Sequence, residues 1–430
     1  MHIERNSQTF HSDSPDILKA QILHWLNRFE VCAFLDNHAY PSKLSSAEWL
    51  IAAGIKKRWN SNTNTIAQLN ELSCFGDWVF GHISYDAKEL IGFSNKEKSN
   101  QVDFDLFYFF QPAIVIERKE NLILIHSLEL DPNQIWNEII QIQPPAETDY
   151  STTISVQPRI KKEEYIQEVN KVIAHIQRGD CYELNYCQEF FAKQTKIQPT
   201  QVYSRLSAVS PAPFGTYYKV ENNHLLCASP ERFIRKTKDE ILSQPIKGTF
   251  KRNLQDESLD HQLKEELRAS SKDRSENVMV VDLVRNDLSL ICERGSVRVD
   301  ELFGVYSFPQ VHQMISTISG KLLQDKQFGD IIAATFPMGS MTGAPKKNVV
   351  ALIDKYETNN RGLYSGAVGY FHPNGNFDFN VVIRSIFYNA QKNFLSYWVG
   401  GGITIYSDPE KEYEECLLKA KAMHKVLTGS

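Results

Sequence analysis

Four acidic residues stand in two pairs three residues apart, Asp273 with Glu276 and Glu412 with Glu415. On a helix that spacing puts both carboxylates of a pair on one face. Two facing helices that each present such a pair supply the hard oxygen ligands a Mg2+ ion takes, because Mg2+ keeps several waters and needs few protein carboxylates. Lys247 lies in PIKGT (245–249), at a strand-to-turn junction. A lysine becomes a nucleophile or base once burial or neighbouring positive charge lowers its pKa. Glu231, in ASPERF, follows a proline, and a desolvated carboxyl there can serve as a general acid. The three glycines of VGGGITIY (399–406) let backbone N–H groups approach an anion. Arg384 in VVIRSIF and Lys419, four residues after Glu415, can complete such an anion site, and a strand arginine among apolar residues is costly to leave unpaired.

The loop FPMGSMTGAPKK (336–347) carries the hydroxyls of Ser340 and Thr342 between glycines and runs into a helix, a good hydrogen-bonding wall for a polar substrate. His312, in VHQMIS, alternates with Val311 and Gln313 as a strand residue does. Taken one at a time, each feature has a plainer explanation. The carboxylates suit solvated helix faces, Lys247 and Glu231 suit surface turns, and the glycines suit a β-bulge or tight bend. The 336–347 loop suits a helix cap, and His312 a structural histidine. The glycines match neither the G-x-G-x-x-G nor the Walker pattern, which leaves a nucleotide site unsupported.

The elements that must position these residues are legible from periodicity. In 161–180, Tyr165, Val169, Val172, Ile173 and Ile176 form one helical stripe that Gly179 can close. CYELNYCQEFFA (181–192) alternates as a strand, two helical stretches fill 256–291, and strands resume from GSVRVDELF to FLSYWVGGGITIY. The last stretch, from Ser407, is a helix with Asp408 as N-cap and Pro409 at its first position, its stripe formed by Tyr413, Cys416, Leu417, Ala420 and Met423. Earlier runs such as WVFGHISYD (78–86), AIVIER (113–118) and LILIHSLEL (122–130) read as antiparallel strands. A Pro-, Thr- and Ser-rich stretch at 141–160 reads as a linker between a strand-rich region, 1–150, and a larger one, 160–428. Strands and helices follow no βαβα alternation, so the fold class is α+β rather than Rossmann or TIM barrel.

Composition excludes several classes. The 430 residues carry 47 Lys+Arg against 52 Asp+Glu, a net charge of −5, spread along the chain without the basic stripe that nucleic-acid binding needs. The most apolar run, LFYFFQPAIVI (106–116), is too short to span a bilayer, and the N-terminal residues do not read as a signal peptide. Seven scattered cysteines, with no C-x-x-C pair, point to reduced thiols and a cytoplasmic setting.

In order along the chain, ASPERF, PIKGT, KDRSENVMVVDLVRND, VHQMIST, FPMGSMTGAPK, RGLYSGAVGY, VVIRS, GGGI and SDPEKEYEECLLKA resemble the motifs of the chorismate-utilising enzymes, densely over about residues 160–425. The resemblance implies large, mostly antiparallel β-sheets packed as a sandwich with helices outside. PIKGT, GSMTGAP and GGGI resemble the members that make 4-amino-4-deoxychorismate for 4-aminobenzoate and folate synthesis. Members that make anthranilate are the alternative, and isochorismate synthases a weaker one. It further implies Glu231 as general acid, Lys247 as covalent nucleophile, and Mg2+ held by Glu276 and Glu415 with Asp273 and Glu412 beside them. His312, Ser340, Thr342, Tyr364, Arg384, Gly401, Gly402 and Lys419 are implied around the substrate, chorismate. No cysteine lies in a glutaminase elbow, so the implied partner is a separate glutaminase subunit delivering ammonia. A non-catalytic binding protein with this fold requires loss of Lys247, Glu231 or the carboxylates, and all are present. Two positions depart from the pattern: Glu183 stands where relatives usually carry Gln, and Asp273 where many carry Glu.

Overall fold

The computed structural model describes residues 4–40, 47–62, 64–94, 96, 98–144, 154–308 and 311–429. Twenty strands join in one hydrogen-bonded network, and every pairing between them is antiparallel. Residues 145–153 of the expected linker lie outside the described residues. Strands on either side of it pair directly: Val31–Asp36 with Phe214–Val220, and Val79–Ile83 with Ala367–Phe371.

Side-chain alternation divides the apolar residues between two cores. In Val31–Asp36, Val31 and Ala33 enter one core, while Cys32 and Phe34 enter the other. The first core lies among sheet faces and is aromatic, with Phe109 set edge-on to Phe328, Phe371 and Phe379. The second lies under helices. Lys162–Gln177 contributes Tyr165, Val169, Val172 and Ile176, and Pro409–Thr428 contributes Cys416, Ala420, Met423 and Leu427. Leu417, read from the sequence as part of that last stripe, is 43 % exposed; the apolar face turns instead through Glu412, which is buried.

The helix ends follow the expected chemistry. The Asp408 carboxylate accepts from the backbone N–H groups of Glu410 and Lys411 at 3.0 and 3.2 Å. Glu257–Ala269 and Ser271–Ser289 meet at Ser270, whose hydroxyl oxygen accepts from the Asp273 N–H. Between Lys162–Gln177 and the next strand, Gly179 takes φ +83°.

FNVVIRSIFYN is not one strand. Phe377–Val381 pairs with Arg232–Thr237 and Ala367–Phe371, whereas Ser385–Asn389 pairs with Asn223–Ser229 and Phe394–Ile403. The chain changes partners across 382–384, and Arg384 makes the turn at φ +50°. The reading of Arg384 as a strand residue is therefore corrected: it stands where two strand pairings part.

An ion pair fastens the 336–347 loop to the sheet. Arg361 and Glu357, each almost fully buried, pair at 2.6 Å. Arg361 also donates to the carbonyls of Met341 (2.8 Å) and Asn185 (2.9 Å), and Glu357 accepts from the Cys187 N–H at 2.9 Å. Arg361→Met leaves Glu357 buried and unpaired, so a loss of about 3–5 kcal/mol in unfolding free energy is expected in a denaturant titration.

Candidate active site

The Lys247 side chain is aimed by a bulge. Ile246–Lys251 pairs with Val311–Lys321, Ile246 opposite Ile315 and Thr249 opposite Gln313, so Lys247 and Gly248 together face a single partner. Gly248 takes φ +95°, and a Cβ there would come within 3.0 Å of the Asp273 side chain. PIKGT is thus a bulged strand, not a strand-to-turn junction. From the bulge Lys247 Nζ reaches Oε1 of Glu183, at the start of the strand Glu183–Ala192, and the two form an ion pair. Glu183 is 3 % exposed.

The glycine strand supplies the bare floor. A Cβ on Gly402 would overlap Glu183 Oε1 and lie 2.8 Å from Lys247 Nζ. Gly401 faces the opposite way, and a Cβ there would lie 3.1 Å from Glu412 Oε2 and 3.8 Å from both Glu415 Oε1 and Lys419 Nζ. Lys419 pairs with Glu415 at 2.8 Å and donates to the Gly400 carbonyl at 2.9 Å.

Electrostatics sort these groups. Burial pushes the Glu231 carboxyl up to about 7, against the Ser340 hydroxyl, the Lys247 charge, the Ile246 N–H and Arg384, which favour its ionised form. Burial likewise takes Glu276 to about 7, Lys247 opposing and Glu183 adding to the rise. Burial alone would lower the Lys247 ammonium, but Glu183, Glu276 and Glu231 outweigh it and hold it above the usual lysine range. Burial lowers the Arg384 guanidinium, and Glu231 is the charged group that counters it. Lys419 holds the Glu415 carboxyl below its ordinary value, while burial raises that of Glu412.

The structure therefore brings together Lys247, Glu231, Ser340, Arg384 and Gly402, with Glu276 in electrostatic reach, and sets Glu412, Glu415 and Lys419 of the final helix against Gly401. Lys272 joins the two helices in charge, 3.9 Å from Glu276 and felt by Glu412 and Glu415. Other sequence-derived positions bind protein groups. Both Asp260 oxygens near His312 Nε2, the carbonyl and Oδ1, lie at 3.1 Å, and Ser307 Oγ is 3.0 Å from Nδ1. Thr342 donates to the Met338 carbonyl at 3.1 Å. Tyr364 rests its hydroxyl 3.6 Å from Cys187 Sγ and its ring on Trp398. Asp273 accepts from the Ser270 hydroxyl.

The carboxylates fit a divalent cation in donor type and in charge. Burial raises the Glu276 and Glu412 carboxyls above their ordinary values, and a cation bound beside them would favour their ionised forms. No three His, Cys, Asp or Glu side chains among the described residues stand close enough to share one ion. Mg2+ asks for only one or two protein carboxylates, its remaining ligands being waters and substrate oxygens. The sequence signalled Glu183 only as a departure; its contact with Lys247 follows from the alternation that puts Glu183, Asn185 and Cys187 on one strand face. A separate cavity of about 790 Å³ is lined by Asp36, Tyr40, Phe214, Arg232, Arg252 and Asp378, and touches neither Lys247 nor Glu231.

A family model described as chorismate binding enzyme matches residues 34–425. The chain belongs to that family. The match begins well before residue 160, where the motifs become dense. Among curated members of the chorismate binding enzyme family, the chain is 43 % identical over 270 residues to the probable chloroplastic aminodeoxychorismate synthase of Oryza sativa, covering 62 % of this chain but 30 % of that protein. It is 36 % identical over 316 residues to aminodeoxychorismate synthase component 1 of Escherichia coli K12, covering 73 % of this chain and 68 % of that one. The chain thus spans under a third of the rice relative. In fold it is similar to anthranilate synthase component I from Streptococcus pneumoniae, at a TM-score of 0.77 and 24 % identity, covering 90 % of this chain and 93 % of that one. The family's large antiparallel sheets with helices outside are the fold observed. No helix of the described residues is long and apolar enough to cross a membrane.

Gly402→Ala drives a methyl group into the Lys247–Glu183 pair. A displacement of about 1 Å at a reacting group can cost about 100-fold in rate. Turnover is expected to fall by that order, with the thermal midpoint moving by a few degrees at most.

Proposed function

We propose that the protein aminates chorismate to 4-amino-4-deoxychorismate, using ammonia from a glutaminase subunit, in a reducing cytoplasmic setting where its scattered cysteines stay thiols. The observation that carries this reading is a buried lysine with the Glu183 carboxylate in contact with it and the Glu231 carboxyl, pushed by burial up to about 7, near enough to feel its charge. The relatives named aminodeoxychorismate synthase support the choice of reaction.

In this reading Lys247 Nζ adds at C2 of the substrate ring, both conjugated ring double bonds shift, and the C4–O bond breaks. Glu231 gives its proton to the departing hydroxyl, which leaves as water. Ammonia then adds at C4 and the bond from C2 to Lys247 breaks, returning the lysine. Splitting one substitution into two lets the enzyme replace a poor leaving group without a free cation. Ser340 keeps Glu231 oriented, and Arg384 and Lys419 bring positive charge for the substrate carboxylates. Glu276 and Glu415 would hold Mg2+, with Asp273 and Glu412 beside them, and bound Mg2+ supplies neutralisation of the ring carboxylate. His312, Thr342 and Tyr364 shape the wall by fixing the Asp260 helix, the 336–347 loop and the Cys187 strand.

Incubating the protein with chorismate, Mg2+ and an ammonium salt, then weighing the products, tests the reaction. A product with nitrogen at C4 and its pyruvyl group retained is expected; anthranilate plus pyruvate would assign the chain to the other branch. Lys247→Ala is expected to abolish product while chorismate still binds, and full activity in that variant refutes the covalent role. Removing divalent cations with EDTA should stop turnover and added Mg2+ restore it.

The pH dependence has a definite sign. Glu231 is protonated below about 7 and ionised above it, and only the protonated form can serve the leaving hydroxyl. The value of kcat/KM should therefore fall about tenfold per pH unit on the alkaline side of about 7. Glu231→Gln should lower the rate throughout and remove that limb.

A further inference from the structure

Lys247 must change from ammonium to amine before it can attack carbon. Charged groups face it from each neighbouring element: Glu183 on its strand, Glu276 on the Ser271–Ser289 helix, Glu231 between two strands, and Glu415 and Lys419 on the final helix. Glu183 alone among these touches its Nζ in the described structure. Oε1 of Glu183 points at the nitrogen, the carboxylate is almost fully buried, and Gly402 leaves the space above the pair free of any side chain. Glu231 is committed to the leaving hydroxyl, and Glu276 to the cation.

We propose that Glu183 is the base that takes the proton from Lys247 Nζ and gives it back when the lysine is released, an inference that rests on the covalent reading above. The balance is as follows. The Nζ–H bond breaks and the Oε1–H bond of Glu183 forms, leaving a neutral amine. The amine lone pair makes the bond to C2, the two conjugated ring double bonds each move one position, and the C4–O pair leaves with the Glu231 proton as water. As the ammonia lone pair bonds to C4, the two ring double bonds shift back and the C2–N bond breaks with its electron pair staying on nitrogen, so that the secondary ammonium departs as neutral Lys247. Glu183 then returns its proton to Nζ, and Glu231 is recharged from solvent. A glutamine at 183 keeps the shape and the hydrogen bond but cannot carry the proton.

The test is the rate of adduct formation on Lys247. Protein and chorismate are mixed with Mg2+ and no ammonia, quenched at intervals, and the Lys247 peptide is weighed across a range of pH. Glu183→Gln is expected to form the adduct about 100-fold more slowly near neutral pH. Its rate should climb with pH as hydroxide and water take over the deprotonation, whereas KM for chorismate stays close to the parent value. Glu183→Asp, which keeps a carboxylate, should recover part of the rate and the parent pH profile, and it serves if the glutamine variant folds poorly. Adduct formation in Glu183→Gln at the parent rate with the parent pH profile overturns the proposal while leaving the covalent mechanism standing. Full product formation by Lys247→Ala overturns both, so the two failures are distinguishable.

Discussion

A lysine side chain this deeply placed keeps its charge only with a carboxylate against it, and the Lys247–Glu183 contact is the constraint around which the rest of the site is built. It requires two strands, one from each side of the 199–209 helix, to converge at their ends. It also requires a bulge at Gly248 to turn the lysine and a bare strand at Gly402 to make room. Desolvating an unpaired ammonium is far costlier than desolvating an ion pair with good geometry, so each of these backbone features has a direct electrostatic reason.

Farther out, the same logic repeats with structural pairs. Arg361 and Glu357 hold the 336–347 loop to the Glu183 strand through backbone carbonyls and an N–H, so Ser340 arrives beside Glu231 from a loop with only a short turn of its own. Arg232, the residue after Glu231, pairs with Asp378 at 2.8 Å and so fixes the backbone on which the acid sits. Charged residues thus form two shells, an inner one placed for chemistry and an outer one that keeps the inner one still.

Much of this was legible in the sequence, and the limits have physical causes. Helices with caps and stripes, such as Pro409–Thr428 and Lys162–Gln177, were readable because 3.6-residue periodicity and capping are local properties. So was the role of glycines at 400–402 in making close approach possible. What periodicity does not carry is the partner across a sheet. The bulge at Lys247 exists because Ile246 and Thr249 register on Ile315 and Gln313, residues about 65 positions away. Arg384 looked like a strand residue because its neighbours are β-branched and apolar; the break there comes from a change of strand partners that no local pattern encodes. His312 was placed near the substrate by its motif, yet its ring is spent on Asp260 and Ser307, a tertiary contact invisible in a window of ten residues. Leu417 failed the same way, since a buried carboxylate, Glu412, took part of the face that hydrophobicity assigned to leucine.

Two glutamates near one lysine invite the question of why they should not share a role. Environment separates them. Glu231 is buried without a cation of the described residues in contact, and burial outweighs the Ser340 hydroxyl and the Ile246 N–H and pushes its carboxyl up to about 7. Glu183 stands against the ammonium itself, with its oxygen aimed at a proton donor. When carboxyl groups of one site occupy such unlike surroundings, their acid and base assignments follow from those surroundings rather than from residue type. The same reasoning bears on the overall charge of −5. The acidic excess does not measure the site, because buried carboxylates there are matched by Lys247, Arg384, Lys419 and Lys272 over a few ångströms.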